Sequence, residues 1–148
     1  MRLLETADDD PSNNEMIGLR LCELAEQVRR ELAPLCRAVG RRVMSVYGGV
    51  GYGPQRAELE RGVDILVACP GRLEDLVAQR VVDLSAVHIV VLDEADRMAD
   101  MGFLPQVEWI LRHVGGPHQT LLFSATLDGA VDVLVKRYQR DPVHYEVE

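Results

Sequence analysis

The sequence predicts an α/β fold, a mostly parallel sheet with helices on both faces. Two observations carry that expectation. Short apolar runs, VDILVAC (Val63–Cys69), VHIVVL (Val87–Leu92) and QTLLF (Gln119–Phe123), read as strands buried on both faces. Stretches with helical spacing alternate with them, the pattern of a parallel sheet with crossover helices. A third observation locates a site: Gly48-Gly49, Pro70-Gly71-Arg72, Asp93-Glu94 and Ser124-Ala125-Thr126 each fall just after a strand. Ligands of such sheets bind at the carboxyl ends of the strands, so four clusters on one edge of one sheet are expected to form one site.

The first 17 residues, with the polar run Asp8–Asn14, read as an irregular lead. Leu21, Leu24, Ala25, Val28, Leu32, Leu35 and Val39 then follow helical spacing, with Pro34 expected to kink the helix and Gly40 to stop it. Arg42–Tyr47 is a strand, Pro54–Arg61 a helix and Val63–Cys69 a strand ended by Pro70-Gly71. Leu73–Arg80 is a helix and Val87–Leu92 a strand running into carboxylates. Phe103–Val114 is a helix carrying Trp109 at core spacing, and Gln119–Phe123 a strand. Leu127–Tyr138 is a further helix and Val143–Val147 a last short strand.

Composition bounds the function. The 148 residues carry 16 basic and 24 acidic side chains, a net charge of −8, which disfavours bulk electrostatic binding of nucleic acid but leaves room for a local basic groove. Three widely spaced cysteines, Cys22, Cys36 and Cys69, make neither a disulfide framework nor a zinc knuckle and read as small buried hydrophobes. The four histidines show no metal-ligand spacing, and His88 reads as a structural side chain inside an apolar strand. No apolar run has the roughly 20 residues of a membrane helix, and the N-terminus has no signal-peptide core, so a cytoplasmic protein is expected.

The chemistry concentrates in Val87–Phe103. A buried strand that ends in Asp93 and Glu94 delivers two carboxylates to the ligand edge of the sheet. One can hold Mg²⁺ through water, because that ion prefers oxygen ligands and keeps part of its hydration shell; its neighbour can orient an attacking water. The same pair also suits a helix entry, where acidic residues favour the first turn. The pair alone leaves both readings open.

Asp93-Glu94-Ala95-Asp96 within VVLDEADRMADMGF resembles the signature of the DEAD-box ATP-dependent RNA helicases. Tyr47-Gly48-Gly49 resembles that family's GG motif, Pro70-Gly71-Arg72 its PGR motif, and Ser124-Ala125-Thr126 its SAT motif. Asp141-Pro142-Val143 resembles the entry to the strand that closes its first domain. The likeness implies a RecA-like P-loop NTPase fold over residues 20–148, a partial first helicase domain behind an irregular, non-matching lead at 1–19. By the same likeness, ATP and Mg²⁺ are the cofactors. Asp93 would hold Mg²⁺ through water, Glu94 would position the hydrolytic water, and Asp96 would pair with the Ser124/Thr126 region to couple nucleotide state to RNA. Gly48, Gly49, Pro70, Gly71 and Arg72 would line the RNA backbone; glycines allow close approach and Arg72 adds a charge-assisted hydrogen bond. Without that context the glycine clusters would be simple turns, and Ser124 and Thr126 caps of the following helix.

The likeness breaks upstream. A phosphate-binding loop needs a glycine-rich turn leading into Lys-Ser/Thr. The only lysine here, against fifteen arginines, is Lys136 in the helical VDVLVKRY. The family's adenine-recognition glutamine segment and its second RecA-like domain are also missing from these residues. Where the family reads Pro-Thr-Arg-Glu-Leu-Ala, this chain reads Arg20-Leu21-Cys22-Glu23-Leu24-Ala25, with Cys22 in the place of a phosphate-contacting arginine. The abrupt change near Leu21 suggests a truncation, an alternative start or a frameshift. A fold lacking the P-loop strand would expose unpaired edges, so marginal stability or self-association through a sheet edge is expected.

Three readings follow. The first is a partial helicase domain whose parent activity is ATP-dependent RNA unwinding with ATP hydrolysis, the isolated chain being expected inactive because the P-loop and second domain are absent from it. The second is a non-catalytic RNA- or partner-binding module, and the third a metal-dependent hydrolase on Asp93, Glu94, Asp96 and Asp100.

Overall fold

The computed structural model describes residues 11–147, with side chains from Arg20 onward. The chain divides into two compact units, the first ending at Val82 and the second beginning at Asp83.

The first unit opens with helix α1, Pro11–Ala38. It starts ahead of Leu21, so residues 11–19 of the expected irregular lead are helical, while residues 1–10 lie outside the described residues. The helix continues through Pro34 and ends as anticipated. Gly40 takes a φ of +67°, which L side chains resist, and the Arg41 N–H closes back on the Cys36 carbonyl at 2.8 Å. Strand β1 (Val43–Val46) and strand β2 (Ile65–Ala68) run parallel, Val43 opposite Ile65 and Val46 opposite Ala68. Helix α2 (Tyr52–Glu60) connects them, and α3 (Pro70–Ala78) follows β2 with Pro70 in its first turn, where a missing N–H costs nothing. Met44, Val46 and Leu76 form the core, with Tyr52, Leu59 and Leu66 packed against it.

The second unit repeats the plan. Strands β3 (Ile89–Leu92) and β4 (Gln119–Leu122) pair in parallel, Ile89 opposite Gln119 and Leu92 opposite Leu122. Helices α4 (Ala95–Asp100), α5 (Leu104–His113) and α6 (Gly129–Tyr138) enclose a core of Ala95, Met98, Val107, Leu111, Val131 and Leu134.

Several expectations need correction. Among the described residues the strands form two two-stranded sheets, one in each unit, so each sheet carries two of the strand-end clusters. In β3 and β4 burial alternates. Val90, Leu92 and Leu122 meet the core while Ile89, Val91 and Leu121 stay exposed, because the helices cover one face only. Residues 143–147 form no strand although Val143, Tyr145 and Val147 alternate correctly; no neighbouring strand among the described residues offers them a ladder. His88 lies just ahead of β3 and is exposed, and Trp109 is half-buried, stacked on His113 at 3.7 Å between ring centroids instead of filling the core. Of the cysteines, Cys36 is buried and the other two are half-buried.

Candidate functional site

At the carboxyl end of β1 the chain passes through Tyr47 into the exposed turn Gly48-Gly49. Gly49 has a φ of +78°, and nothing lies within 4 Å of where a Cβ would stand on either glycine, so their backbone faces open space. The turn is held from below. Arg72, in the first turn of α3, is buried, and its two terminal nitrogens both donate to the Val50 carbonyl at 3.0 Å. Nη1 also donates to Gln55 Oε1 at 2.9 Å, and Gln55, likewise buried, donates to the Tyr47 carbonyl at 3.1 Å. The guanidinium stacks over the Tyr52 ring at 4.1 Å, and the Tyr52 hydroxyl donates to Asp75 at 2.7 Å. Both ends of the 47–52 loop are therefore fixed by one arginine–glutamine pair. Among the described residues no carboxylate forms an ion pair with Arg72. Its charge is set among neutral acceptors directly beneath an open backbone turn. Pro70 is buried and Gly71 half-buried beside it. Cys22, in the position where an arginine was expected from the likeness, sends its thiol to the Gly48 carbonyl at 3.5 Å.

The second unit presents acids. Asp93 is exposed at the end of β3, and its Oδ1 accepts the Glu94 N–H at 2.9 Å. Glu94 takes the left-handed conformation, φ 49° and ψ 48°, which costs a non-glycine residue about 1 kcal/mol and turns the chain sharply into α4. Arg97 Nη1 lies 2.5 Å from Glu94 Oε2 without the alignment of a hydrogen bond. Beyond β4 the ladder continues into this turn: Phe123 N–H reaches the Leu92 carbonyl at 2.8 Å, and Ala95 N–H reaches the Phe123 carbonyl at 3.1 Å. The next contact is the informative one. Ser124 Oγ accepts the Asp96 N–H at 3.1 Å, so the residue after β4 satisfies an otherwise orphaned donor of α4. Partial burial pushes the Asp96 carboxyl up, but hydrogen bonds from the Ser124 hydroxyl and from the Arg97, Ala125 and Asp96 N–H groups outweigh it and hold it below the ordinary carboxylate range. Ala125 and Thr126 are exposed. The residue that caps α6 by position is Asp128, so neither Ser124 nor Thr126 caps the following helix as expected.

The fit to the implied groups differs. An exposed carboxylate with one oxygen engaged locally suits outer-sphere binding of a hydrated Mg²⁺, which needs few protein ligands. No three His, Cys, Asp or Glu side chains converge at metal-binding spacing among the described residues, so the four acids of the hydrolase reading do not form a cage. Lys136 is paired with Asp132 at 2.6 Å on α6 and contributes nothing to a phosphate cradle.

The DEAD/DEAH box helicase family model matches residues 8–133 of this sequence. The chain belongs to that family. Among similar DEAD-box proteins, the pre-mRNA-processing ATP-dependent RNA helicase prp-5 of Neurospora crassa is 44% identical over 98% of this chain and 13% of its own length. The probable ATP-dependent RNA helicase DDX46 of Homo sapiens is 46% identical over 84% of this chain and 12% of its own. The chain thus spans about an eighth of the length of these relatives. Among solved structures, a hypothetical ATP-dependent RNA helicase from Sulfolobus tokodaii superposes with a TM-score of 0.77 and 39% identity, covering 80% of this chain and 36% of that one. The yeast DEAD-box splicing factor Prp28 gives 0.76 and 33%, covering 80% and 29%. The fold is that of a partial RecA-like DEAD-box domain.

One feature of the site was not legible beforehand: the inward assignment of Arg72, whose acceptors lie 17 and 22 positions away in sequence. A pairing of Asp96 with the Ser124 region was expected from the family likeness, and the structure has the Asp96 N–H on Ser124 Oγ.

Proposed function

We propose that this chain supplies the carboxylate and coupling elements of a DEAD-box RNA helicase and, by itself, turns over no ATP. The observation that carries the reading is the Asp96–Ser124 hydrogen bond, which ties the acidic turn after β3 to the Ser-Ala-Thr turn after β4. In the whole helicase, Asp93 would hold a hydrated Mg²⁺ through water, and that ion would supply charge neutralisation at the phosphates. Glu94 would orient the attacking water, and Asp96, Ser124, Ala125 and Thr126 would carry movement of the turn towards the RNA side. Gly48, Gly49, Pro70 and Gly71 offer backbone N–H groups to RNA phosphates, and the unpaired charge of Arg72 below them favours an anion there. These 148 residues hold no glycine-rich turn leading into Lys-Ser/Thr and so offer no phosphate cradle of that form. A second RecA-like domain supplies the arginine whose contribution in phosphoryl transfer is roughly 10³–10⁵ in rate. The relatives' printed role in pre-mRNA processing makes a nuclear setting a better proposal than the cytoplasmic one expected from the sequence. No helix among the described residues is long and apolar enough to cross a membrane. Each two-stranded sheet has edges without a strand partner, which supports self-association through a sheet edge.

The test is steady-state ATPase with Mg²⁺ and single-stranded RNA on the folded chain. The expected result is no turnover above a no-protein control. Turnover abolished by Glu94→Gln would show a complete site and sink the proposal. A salt-dependent RNA affinity with no nucleotide effect would favour the non-catalytic binding module.

A further inference from the structure

Cys22 lies on α1 and Cys69 at the N-cap of α3, far apart in sequence, yet the Cys69 thiol reaches α1 beside Cys22, while the Cys22 thiol reaches the turn after β1. Cys69 Sγ donates to the Leu21 carbonyl at 3.5 Å, and Cys22 Sγ donates to the Gly48 carbonyl at the same distance. The Leu21 carbonyl belongs to the planar peptide unit that also carries the Cys22 N–H, so the Cys69 sulfur sits one peptide from the Cys22 backbone. A disulfide requires Cα atoms about 4.4–6.8 Å apart, and forming one here would have to break the contact of the Cys22 thiol with Gly48. Cys36 is no competitor: it is buried, and it lies fourteen positions along the same helix, about 21 Å at a rise of about 1.5 Å per residue.

We propose that Cys22 and Cys69 form a dithiol site that takes a low-molecular-weight disulfide as oxidant and closes to an intramolecular bridge pinning α1 to the start of α3. The Cys22 thiolate attacks one sulfur of the oxidant and releases one small thiolate. The Cys69 thiolate then attacks the Cys22 sulfur of the mixed disulfide and releases the second. The oxidant gains two electrons and becomes two thiols, which take up the two cysteine protons. Burial pushes both thiols up, Cys69 to about 11 with Cys22 adding to the effect; around Cys22, Arg72 acts in the opposite sense and Glu23 in the same sense. Such thiols are slow to attack at neutral pH, and a high-pKa thiol is also a poor leaving group, so the bridge forms slowly and, once made, resists exchange.

The experiment uses the full chain and hydroxyethyl disulfide as the probe. Free thiols are alkylated after oxidation, and the unreduced protein is digested with trypsin. The expected main product joins the peptide Leu21–Arg29 to Gly62–Arg72, with Cys36 alkylated in its own peptide. The same treatment in concentrated urea is expected to lose that selectivity. Separate mixed disulfides on Cys22 and Cys69 without a cross-link would overturn the proposal. So would native cross-links through Cys36, or an identical product pattern in urea.

Discussion

The turn after β1 and the turn after β3 occupy equivalent places in two parallel strand pairs, and they handle charge in opposite ways. Beneath the first, the cation is inside: Arg72 is buried, fixed to Val50 and Gln55, and the Gly48-Gly49 backbone faces outward. In the second, the charge is outside: Asp93 is exposed and Asp96 half-buried, with backbone N–H groups and the Ser124 hydroxyl fixing their positions. A rigid turn that presents backbone suits a polyanion tracked along its phosphates. A turn that presents carboxylates suits a hydrated cation. One strand-end geometry can thus present either backbone or carboxylates, depending on the side chains packed around the turn.

Breaking the first turn has the largest expected effect. Arg72→Ala removes charged hydrogen bonds to two acceptors and leaves a void under the loop, so the chain should lose about 3 kcal/mol of stability in urea titration. Chymotrypsin should then cut after Tyr52 faster than in the parent. Arg72→Lys should rescue little, because a single ammonium does not reproduce the planar fork. A loss under 0.5 kcal/mol would mean the clamp is incidental.

Loosening the second turn costs less. Ser124→Ala orphans the Asp96 N–H, an expected loss of about 1 kcal/mol, and it also removes a bond that favours the ionised Asp96 carboxyl. The pH dependence has a defined sign. Asp96 is held below its ordinary value, so its contribution is complete above about pH 4 and fades as pH falls through the depressed value. The gap between parent and variant should therefore narrow on acidification below about pH 4. A gap that stays constant would detach Ser124 from the carboxylate.

The smallest effect has the opposite direction. Glu94→Gly relieves a left-handed backbone and should raise stability by about 1 kcal/mol, less whatever the exposed Arg97 pair contributes. A destabilised variant would show that the Glu94 side chain holds the turn.

Most elements were readable in the sequence because buried runs of β-branched residues and helical spacing persist over whole segments. α4 was not, since Ala95–Asp100 buries only Ala95 and Met98 and shows no periodic face. The strand expected at Val143–Val147 has the right alternation, but a strand exists only beside another, and alternation does not reveal the partner. Motif order put Asp93, Glu94 and Ser124 just after strands, where the structure has them, while Asp96 falls inside α4. The inward turn of Arg72 and the approach of Cys22 to Cys69 depend on contacts between distant segments, which local patterns do not encode.

The central claim is that the carboxylate and coupling turns stand here without a phosphate cradle. Titration of the chain, first shown to melt cooperatively, with a fluorescent ATP analogue and Mg²⁺ tests it most directly. The predicted result is no saturable binding. Micromolar binding abolished by Asp93→Ala would contradict it, because the phosphates would then be held by groups this account does not assign.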